Sequence, residues 1–259
     1  MWHDVKMMNN TANALFGLVL LALMASGVWW VIQRPMFTLH SIRVVGATPQ
    51  SLRHVDTVTI RNAAVPKIRG NFFTANLDAV RGAFESVPWV RKASVQREWP
   101  NKLTVTLDEH VALGTWTADG RLISVAGDVF TANLAEAEDD TDLIALSGPD
   151  GSEKEVLSQY LELKDWFAKI NLAPDSVTYS NRYAWSLKLN NGIQVELGRV
   201  QDGTTLKMRV NKLLMIYPQL IASAQESIES IDMRYPNGLA MKYARPAGSK
   251  KQTKASGKT

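Results

Sequence analysis

An α+β fold behind a single transmembrane helix is the architecture this sequence predicts, and three patterns carry the prediction. Ala14 to Ile32 is an uncharged apolar run, long enough at 1.5 Å per residue to cross roughly 28 Å of hydrocarbon. From Phe37 to about Glu109 the periods follow the order strand, helix, helix, strand, strand, which folds most simply with both helices on one sheet face. The remainder, to about Tyr243, is mostly short alternating stretches punctuated by turn residues, with two helical stretches among them. That is a β-rich second domain.

The apolar run comes first. Ten of its side chains are Leu, Ile, Val or Phe, together worth roughly −3 to −6 kcal/mol of insertion free energy. Trp29 and Trp30 suit the interface at its end, and Gln33, Arg34 and Pro35 close it. Residues 14–33 are thus expected to span and residues 1–13 to form a short cytoplasmic tail. Leu15 to Met24, followed by Ala25-Ser26-Gly27, also fits a cleavable signal peptide. The run continues through Val28 to Ile32, which favours a retained anchor. Charge does not set the orientation, with Lys6 and Asp4 before the span and Arg34 and Arg43 after it.

In the first domain, Phe37 to Gly46 is rich in β-branched and aromatic residues and closes on glycine, a strand signal. Ser51 to Ala64 is a helix candidate with Leu52, Val55, Val58 and Ile60 apolar. A second helix is capped by Asn76 and carries Leu77, Val80 and Phe84 on one face. Pro88 ends it. Ala93, Val95 and Trp99 alternate with polar residues, as do Leu103, Val105 and Leu107 after Pro100-Asn101, so these two strands form a hairpin.

The second domain opens with short strands at Val111 to Trp116, Arg121 to Val125 and Val129-Phe130, separated by turns. The acidic stretch Glu136 to Asp142 reads as a solvated loop. Glu153 to Ile170 is an amphipathic helix. Trp185, Leu187 and Leu189 alternate into Asn191-Gly192, and Ile193, Val195 and Leu197 alternate out of it, the pattern of a type I′ hairpin. A helix is expected from Thr205 to Tyr217, stopping before Pro218. Last come Ile231, Met233 and Tyr235, a turn at Pro236-Asn237-Gly238, and a strand through Leu239, Met241 and Tyr243. Residues 246–259 are expected to be a disordered basic tail.

Composition narrows the chemistry. The formal charge is +4, but the tail holds Lys250, Lys251, Lys254 and Lys258; without these four, the 29 basic residues fall level with the 25 acidic ones. The folded body lacks the net basic excess of a nucleic-acid-binding domain. Absence of cysteine excludes disulfides, thiolate metal sites and thiol catalysis. His3, His40, His54 and His110 lack metal-ligand spacing. Asp108-Glu109 reads as a solvated strand edge, and no nucleophile and base or phosphate cradle stands out. An enzyme is not expected, nor is a metal or cofactor. What the pattern does offer is the last strand: an edge not covered by an earlier strand presents free backbone groups to a partner strand. The alternative is that Leu239, Met241 and Tyr243 are core, with Lys242 guarding the edge.

Phe37 to Gly46, Asn71-Phe72-Phe73, Pro88-Trp89-Val90, the run Ala93 to Pro100 containing Arg97-Glu98-Trp99-Pro100, Leu103 and Glu109 resemble the POTRA domain of the FtsQ/DivIB family of bacterial cell-division proteins. Gly148-Pro149, Leu197-Gly198-Arg199 and Ile231 to Gly238 resemble the family's β domain. The resemblance implies a POTRA domain over residues 37–110 and a β domain over 111–245, both periplasmic, behind a single pass of the inner membrane at the septum. It implies a scaffold linking early to late division proteins. Its terminal strand would receive a strand from FtsB, which comes with FtsL, and through them influence FtsW and FtsI. Carried onto this sequence, the partner-binding residues are Arg182, Tyr235, Gly238, Leu239, Met241 and Tyr243, where Arg182 would hold an acidic partner residue. Tyr243 stands where the family often has tryptophan. Arg43, Val44, Val45 and Gly46, with the second helix, fall on the family's recruitment surface.

Three other readings share these features. A POTRA chaperone for envelope proteins would call for tandem units or a barrel-length series of strands. A membrane-anchored envelope enzyme would call for a pocket of convergent titratable groups. Polyanion or lipid binding through the lysine tail would be salt-sensitive.

Overall fold

The computed structural model describes residues 5–47, 52–117, 119–200, 203–223, 226–235 and 238–244. It divides after His110 into two compact units, and the whole is an α+β chain: a long apolar helix, a β-α-α-β-β unit and a β-rich unit with helices.

In the first unit, helix α1 runs Val5–Ile32, and Met7–Ile32 is long and apolar enough to cross a membrane. The helix begins ahead of the apolar run because its hydrogen bonding propagates through Asn9 to Thr11, and Thr11 Oγ1 donates to the Met8 carbonyl at 2.9 Å. Pro35–Phe37 form a 3-10 turn, so strand β1 is confined to Ser41–Gly46, shorter than the predicted Phe37 to Gly46. Pro35 sets a helical φ and starts the turn. Helix α2, Thr57–Ala63, starts where Asp56 caps it by accepting from the Thr59 N–H at 2.6 Å. The helix predicted from Ser51 starts later than expected: residues 52–56 are not helical, and Ser51 itself lies outside the described residues. Helix α3, Leu77–Glu85, is capped by Asn76 Oδ1, which accepts from Asp78 and Ala79. β2, Val90–Glu98, and β3, Lys102–Glu109, form the expected hairpin. β1 adds in parallel to β3, giving the order β1-β3-β2. Leu103, Val105 and Leu107 of the central strand are fully buried with Val80 and Phe84 of α3.

The second unit is built on a nine-stranded sheet, ordered β12-β11-β10-β9-β8-β7-β4-β5-β6 among the described residues. The strands are β4 Ala112–Trp116, β5 Arg121–Ser124, β6 Val129–Phe130, β7 Ile144–Ser147, β8 Pro174–Tyr179, β9 Ala184–Leu189, β10 Gln194–Arg199, β11 Ile228–Asp232 and β12 Ala240–Tyr243. Parallel neighbours need a crossover: α5, Glu153–Phe167, connects β7 to β8, and α6, Gly203–Ser223, connects β10 to β11. Val156, Tyr160, Leu163 and Phe167 of α5 and Leu206, Val210 and Leu213 of α6 share one core with Val177, Leu187, Val195 and Ile231 of the sheet.

Three expectations change here. The acidic stretch is helical at its start: α4, Leu134–Asp140, is capped by Asn133 accepting from Ala135 and is seated by buried Ala137, so this unit has three α-helices where two were expected. α6 continues through Pro218 to Ser223. Pro218 cannot donate to the Leu214 carbonyl, but its ring lies exposed, where water can satisfy that group. β7 and β8 were not anticipated. The predicted turn residues Pro236 and Asn237, and the tail at 246–259, lie outside the described residues.

Candidate functional site

β12 forms one end of the large sheet, with β11 as its single neighbour among the described strands. The register sets Ala240 opposite Asp232, Met241 opposite Ile231, Lys242 opposite Ser230 and Tyr243 opposite Ile228. Side-chain alternation therefore turns Met241 inward, and Leu239 and Met241 pack on the core. Lys242 faces outward and joins Glu229 Oε1 across the pair at 2.6 Å. Tyr243 remains 39% exposed. On the far side of β12, alternate N–H and C=O groups point away from the sheet. The two sequence readings are thus partly compatible: Leu239 and Met241 reach the core but Tyr243 does not join it, and among the described strands the backbone forms an edge. Gly238 has open space around its Cα, and Tyr235 is exposed at the end of β11.

Arg182 is exposed in the turn between β8 and β9. That turn closes with the Tyr183 N–H donating to the Ser180 carbonyl at 2.8 Å, and Tyr183 takes a φ of 59°. Its place follows from register: Ala184 opposes Arg199, Glu196 opposes both Ser186 and Asp232, and Asp232 opposes Ala240. The turn is therefore at the same end of the sheet as Tyr235, Gly238 and Leu239. It is separated from β12 by three strand intervals, about 14 Å. Arg182 is out of reach of β12 itself and faces whatever crosses that end of the sheet.

Between them the structure gathers residues the sequence reading missed. Gly198 has a φ of 74° and follows a β-bulge. Arg209 of α6 reaches up to donate to the Leu197 carbonyl and, at 2.9 Å, to the Arg199 carbonyl. A Cβ on Gly198 would come within 2.6 Å of Arg234 Cγ, so Arg234 lies directly across that bulge. Its guanidinium is bidentate to Asp232, Nε to Oδ1 at 2.9 Å and Nη2 to Oδ2 at 2.6 Å. These hydrogen bonds hold the Asp232 carboxyl below its ordinary pKa. The sheet end thus carries exposed Arg182, Arg199 and Arg234, with one guanidinium neutralised by Asp232. The Leu-Gly-Arg motif was visible in sequence, but its role as a bulge that brings arginines together was not.

Arg43, Val44, Val45 and Gly46 lie on β1, itself an edge strand. Arg43 is exposed and Val45 is 37% exposed. Val44 lines a groove of about 600 Å³ with Leu39, Ile42, Ile60 and Val65, between β1 and α2. The second helix, α3, packs on β2 at the opposite edge, so these residues and α3 do not form one surface.

Several titratable side chains elsewhere have structural partners. Glu109 is a correction to the solvated-edge reading: it is buried and accepts the backbone N–H groups of Arg53 at 2.8 Å, His54 at 3.2 Å and Val55 at 2.7 Å. Asp108 pairs with Arg91. His54 stacks on Trp89 with ring centroids 3.9 Å apart, and His40 bonds the Thr38 carbonyl at 2.6 Å. His3 lies outside the described residues. Among the described residues no group of three or more His, Asp or Glu side chains is placed to hold a metal ion.

Two family models match this chain. One, described as the C-terminal part of cell division protein FtsQ/DivIB, covers residues 114–234. The other, a POTRA domain of FtsQ type, covers residues 37–110. Similar full-length proteins include the cell division protein FtsQ of Burkholderia pseudomallei, 48% identical over 244 residues that make up 94% of this chain and 95% of the relative. That of Bordetella pertussis is 37% identical, covering 94% and 93%. That of Nitrosospira multiformis is 30% identical, covering 95% and 100%.

Proposed function

The chain belongs to the FtsQ/DivIB family of cell-division proteins, a structural family and not one of enzymes, and from that premise we propose that it is a single-pass inner-membrane scaffold of the division site. Residues 1–13 are cytoplasmic, 14–33 cross the membrane, and the domains at 37–110 and 111–245 stand in the periplasm ahead of a basic tail at 246–259. The scaffold binds FtsB, and with it FtsL, by strand addition to β12, and through them influences septal peptidoglycan synthesis by FtsW and FtsI. Its mechanism is binding without turnover.

The observation that carries this reading is the position of β12 at the end of the sheet, with Leu239 and Met241 packed on the core and its outer backbone unpaired by any described strand. Main-chain bonds supply affinity in this mode, and alternate side chains supply specificity. A partner segment that continues past the strand across the sheet end meets Arg182 and Arg199, whose planar guanidinium groups suit carboxylates. Arg43 to Gly46, on β1 at the edge of its sheet among the described strands, are the proposed contact for other division proteins.

Met241→Pro tests this. Proline removes a backbone donor and fits poorly in a paired strand. In the full chain held in nanodiscs, affinity for the periplasmic segment of FtsB is expected to fall at least tenfold, about 1.4 kcal/mol. Lys242→Ala, which leaves the backbone intact, should bind close to wild type. Undiminished affinity of Met241→Pro would refute strand addition.

A further inference from the structure

Two motifs of the first unit, Asn71-Phe72-Phe73 and Arg97-Glu98-Trp99-Pro100, meet beside the end of α1. Arg97 donates from Nε to the Phe72 carbonyl at 2.7 Å and from Nη2 to the Ala75 carbonyl at 2.8 Å. Asn71 Oδ1 accepts the N–H groups of Phe73 and Thr74, both at 3.0 Å. Its Nδ2 donates to the carbonyl of Ile32, the last residue of α1, at 2.9 Å. These bonds fix a ring cluster. Phe37 meets Phe73 edge-on at 4.9 Å and Trp99 at 5.8 Å, and Phe72 meets Phe73 at 5.2 Å and Trp99 at 5.7 Å. Phe37 and Phe72 are buried, but Trp99 is 65% exposed, Phe73 44% and Met36 61%. An apolar patch of this kind marks an interaction site.

Two observations identify what covers it. First, the patch is continuous with the membrane helix: a groove of about 470 Å³, lined by Gly27, Val28, Val31, Phe37 and Phe73, joins the last turns of α1 to the cluster. Second, its rim is cationic. Arg34 lies over the Trp30 ring, 3.4 Å from the centroid. Across 33–40, 69–74 and 97–102 the charged residues are Arg34, Arg69, Arg97 and Lys102 against one acid, Glu98. Exposed rings with a basic rim, beginning where a transmembrane helix ends, suit the headgroup layer of an anionic leaflet.

We infer that Met36, Phe73 and Trp99 insert into the headgroup–acyl boundary of the leaflet at the C-terminal end of α1, seating the POTRA domain on the bilayer surface. The occupant of the groove beside them is lipid. The inference rests on α1 being a membrane span.

The sequence contains no cysteine, so one introduced cysteine is a unique labelling site. The full chain carrying an environment-sensitive fluorophore at Met36→Cys, Phe73→Cys or Trp99→Cys is placed in nanodiscs of phosphatidylethanolamine and phosphatidylglycerol, some of the lipid bearing a nitroxide at acyl carbon 5. Trp30→Cys is the control within the span. Lys92→Cys, about 23 Å further along β2 from Trp99, is the control in water. Labels at 36, 73 and 99 are expected to shift blue, to be quenched by nitroxide lipid at least threefold more than the label at 92, and to resist iodide. Iodide quenching at all three sites with lipid quenching retained at 30 would overturn the seating while leaving the span intact. Shielding from both quenchers would place protein over the patch and overturn it equally. Loss of lipid quenching at 30 would overturn the span and the seating together.

Discussion

At Glu109 a single carboxylate closes the loop at 53–55 onto β3 by accepting three backbone N–H groups. Removing it strands donors that are costly to leave unpaired, so Glu109→Ala is expected to destabilise the first unit by about 2–4 kcal/mol. Glu109→Gln, which keeps one acceptor, should lose less; equilibrium denaturation followed by tryptophan fluorescence gives both values. This role was legible in principle. β3 buries Leu103, Val105, Leu107 and Glu109 on one period of two, so counting on from Leu107 places Glu109 inside and Asp108 outside. The residue type obscured it, since an acid at a strand end is more often solvated. Glycines show the converse limit. A Cβ on Gly114 would fall 2.1 Å from the Ile144 carbonyl oxygen, so only glycine lets β4 and β7 pair there. That requirement comes from a strand thirty residues away and leaves no local mark. Arg182 was placed by resemblance, whereas Arg199, Arg209 and Arg234 gained their roles only when the bulge at Gly198 brought them to one end of the sheet.

Elements whose pattern is local were read correctly. The β9–β10 hairpin turns on Asn191-Gly192, where Gly192 has a φ of 86° and Asn191 Oδ1 accepts the Ile193 N–H at 3.2 Å. Asn191 is not at positive φ and the Gly192 N–H donates to the Leu189 carbonyl at 2.8 Å, so the loop is a three-residue one with glycine in the left-handed position in place of the expected type I′ turn. β9 alternates strictly, and β10 does so up to the bulge before Gly198. β7 and β8 have no such signal. Only Leu146 is buried in β7 and only Pro174 and Val177 in β8; β7 is held by the parallel neighbours β4 and β8, and β8 by β7 in parallel and β9 in antiparallel pairing. In α4 the acidic content hid a helix that depends on one cap and one buried alanine. The segment joining β11 to β12 carries its own electrostatic prediction. Because the folded pKa of Asp232 is lowered by Arg234, its stabilising contribution is complete above the ordinary carboxylate value of about 3.9 and is lost as pH falls through the lowered folded value. A carboxyl-carbon NMR titration should place the Asp232 midpoint below that ordinary value, and Arg234→Ala should move it upward. The stability difference between the two proteins should shrink as the solution is acidified through the same range. An unmoved midpoint would remove Arg234 as the cause.

For the whole molecule, the fold class followed from sequence because it needed only the order of periods, while strand order needed partners. Nothing local announces that β1 joins β3 in parallel or that α5 and α6 are crossovers within one sheet. Orientation in the membrane was likewise illegible, since so few charges flank the apolar run. The proposed topology predicts that alkaline phosphatase fused after residue 244 is active in cells, whereas a fusion active only in the cytoplasm would reverse it. The joint between α1 and the first unit has a mechanical consequence. Asn71 is bonded to the last carbonyl of the helix, Phe72 donates its N–H to the Phe37 carbonyl at 2.9 Å, and Arg34 is stacked on Trp30. The connection therefore has no free swivel. A rotation of α1 about its axis, such as another helix docking against it in the bilayer would impose, is delivered as torque to the folded unit it carries.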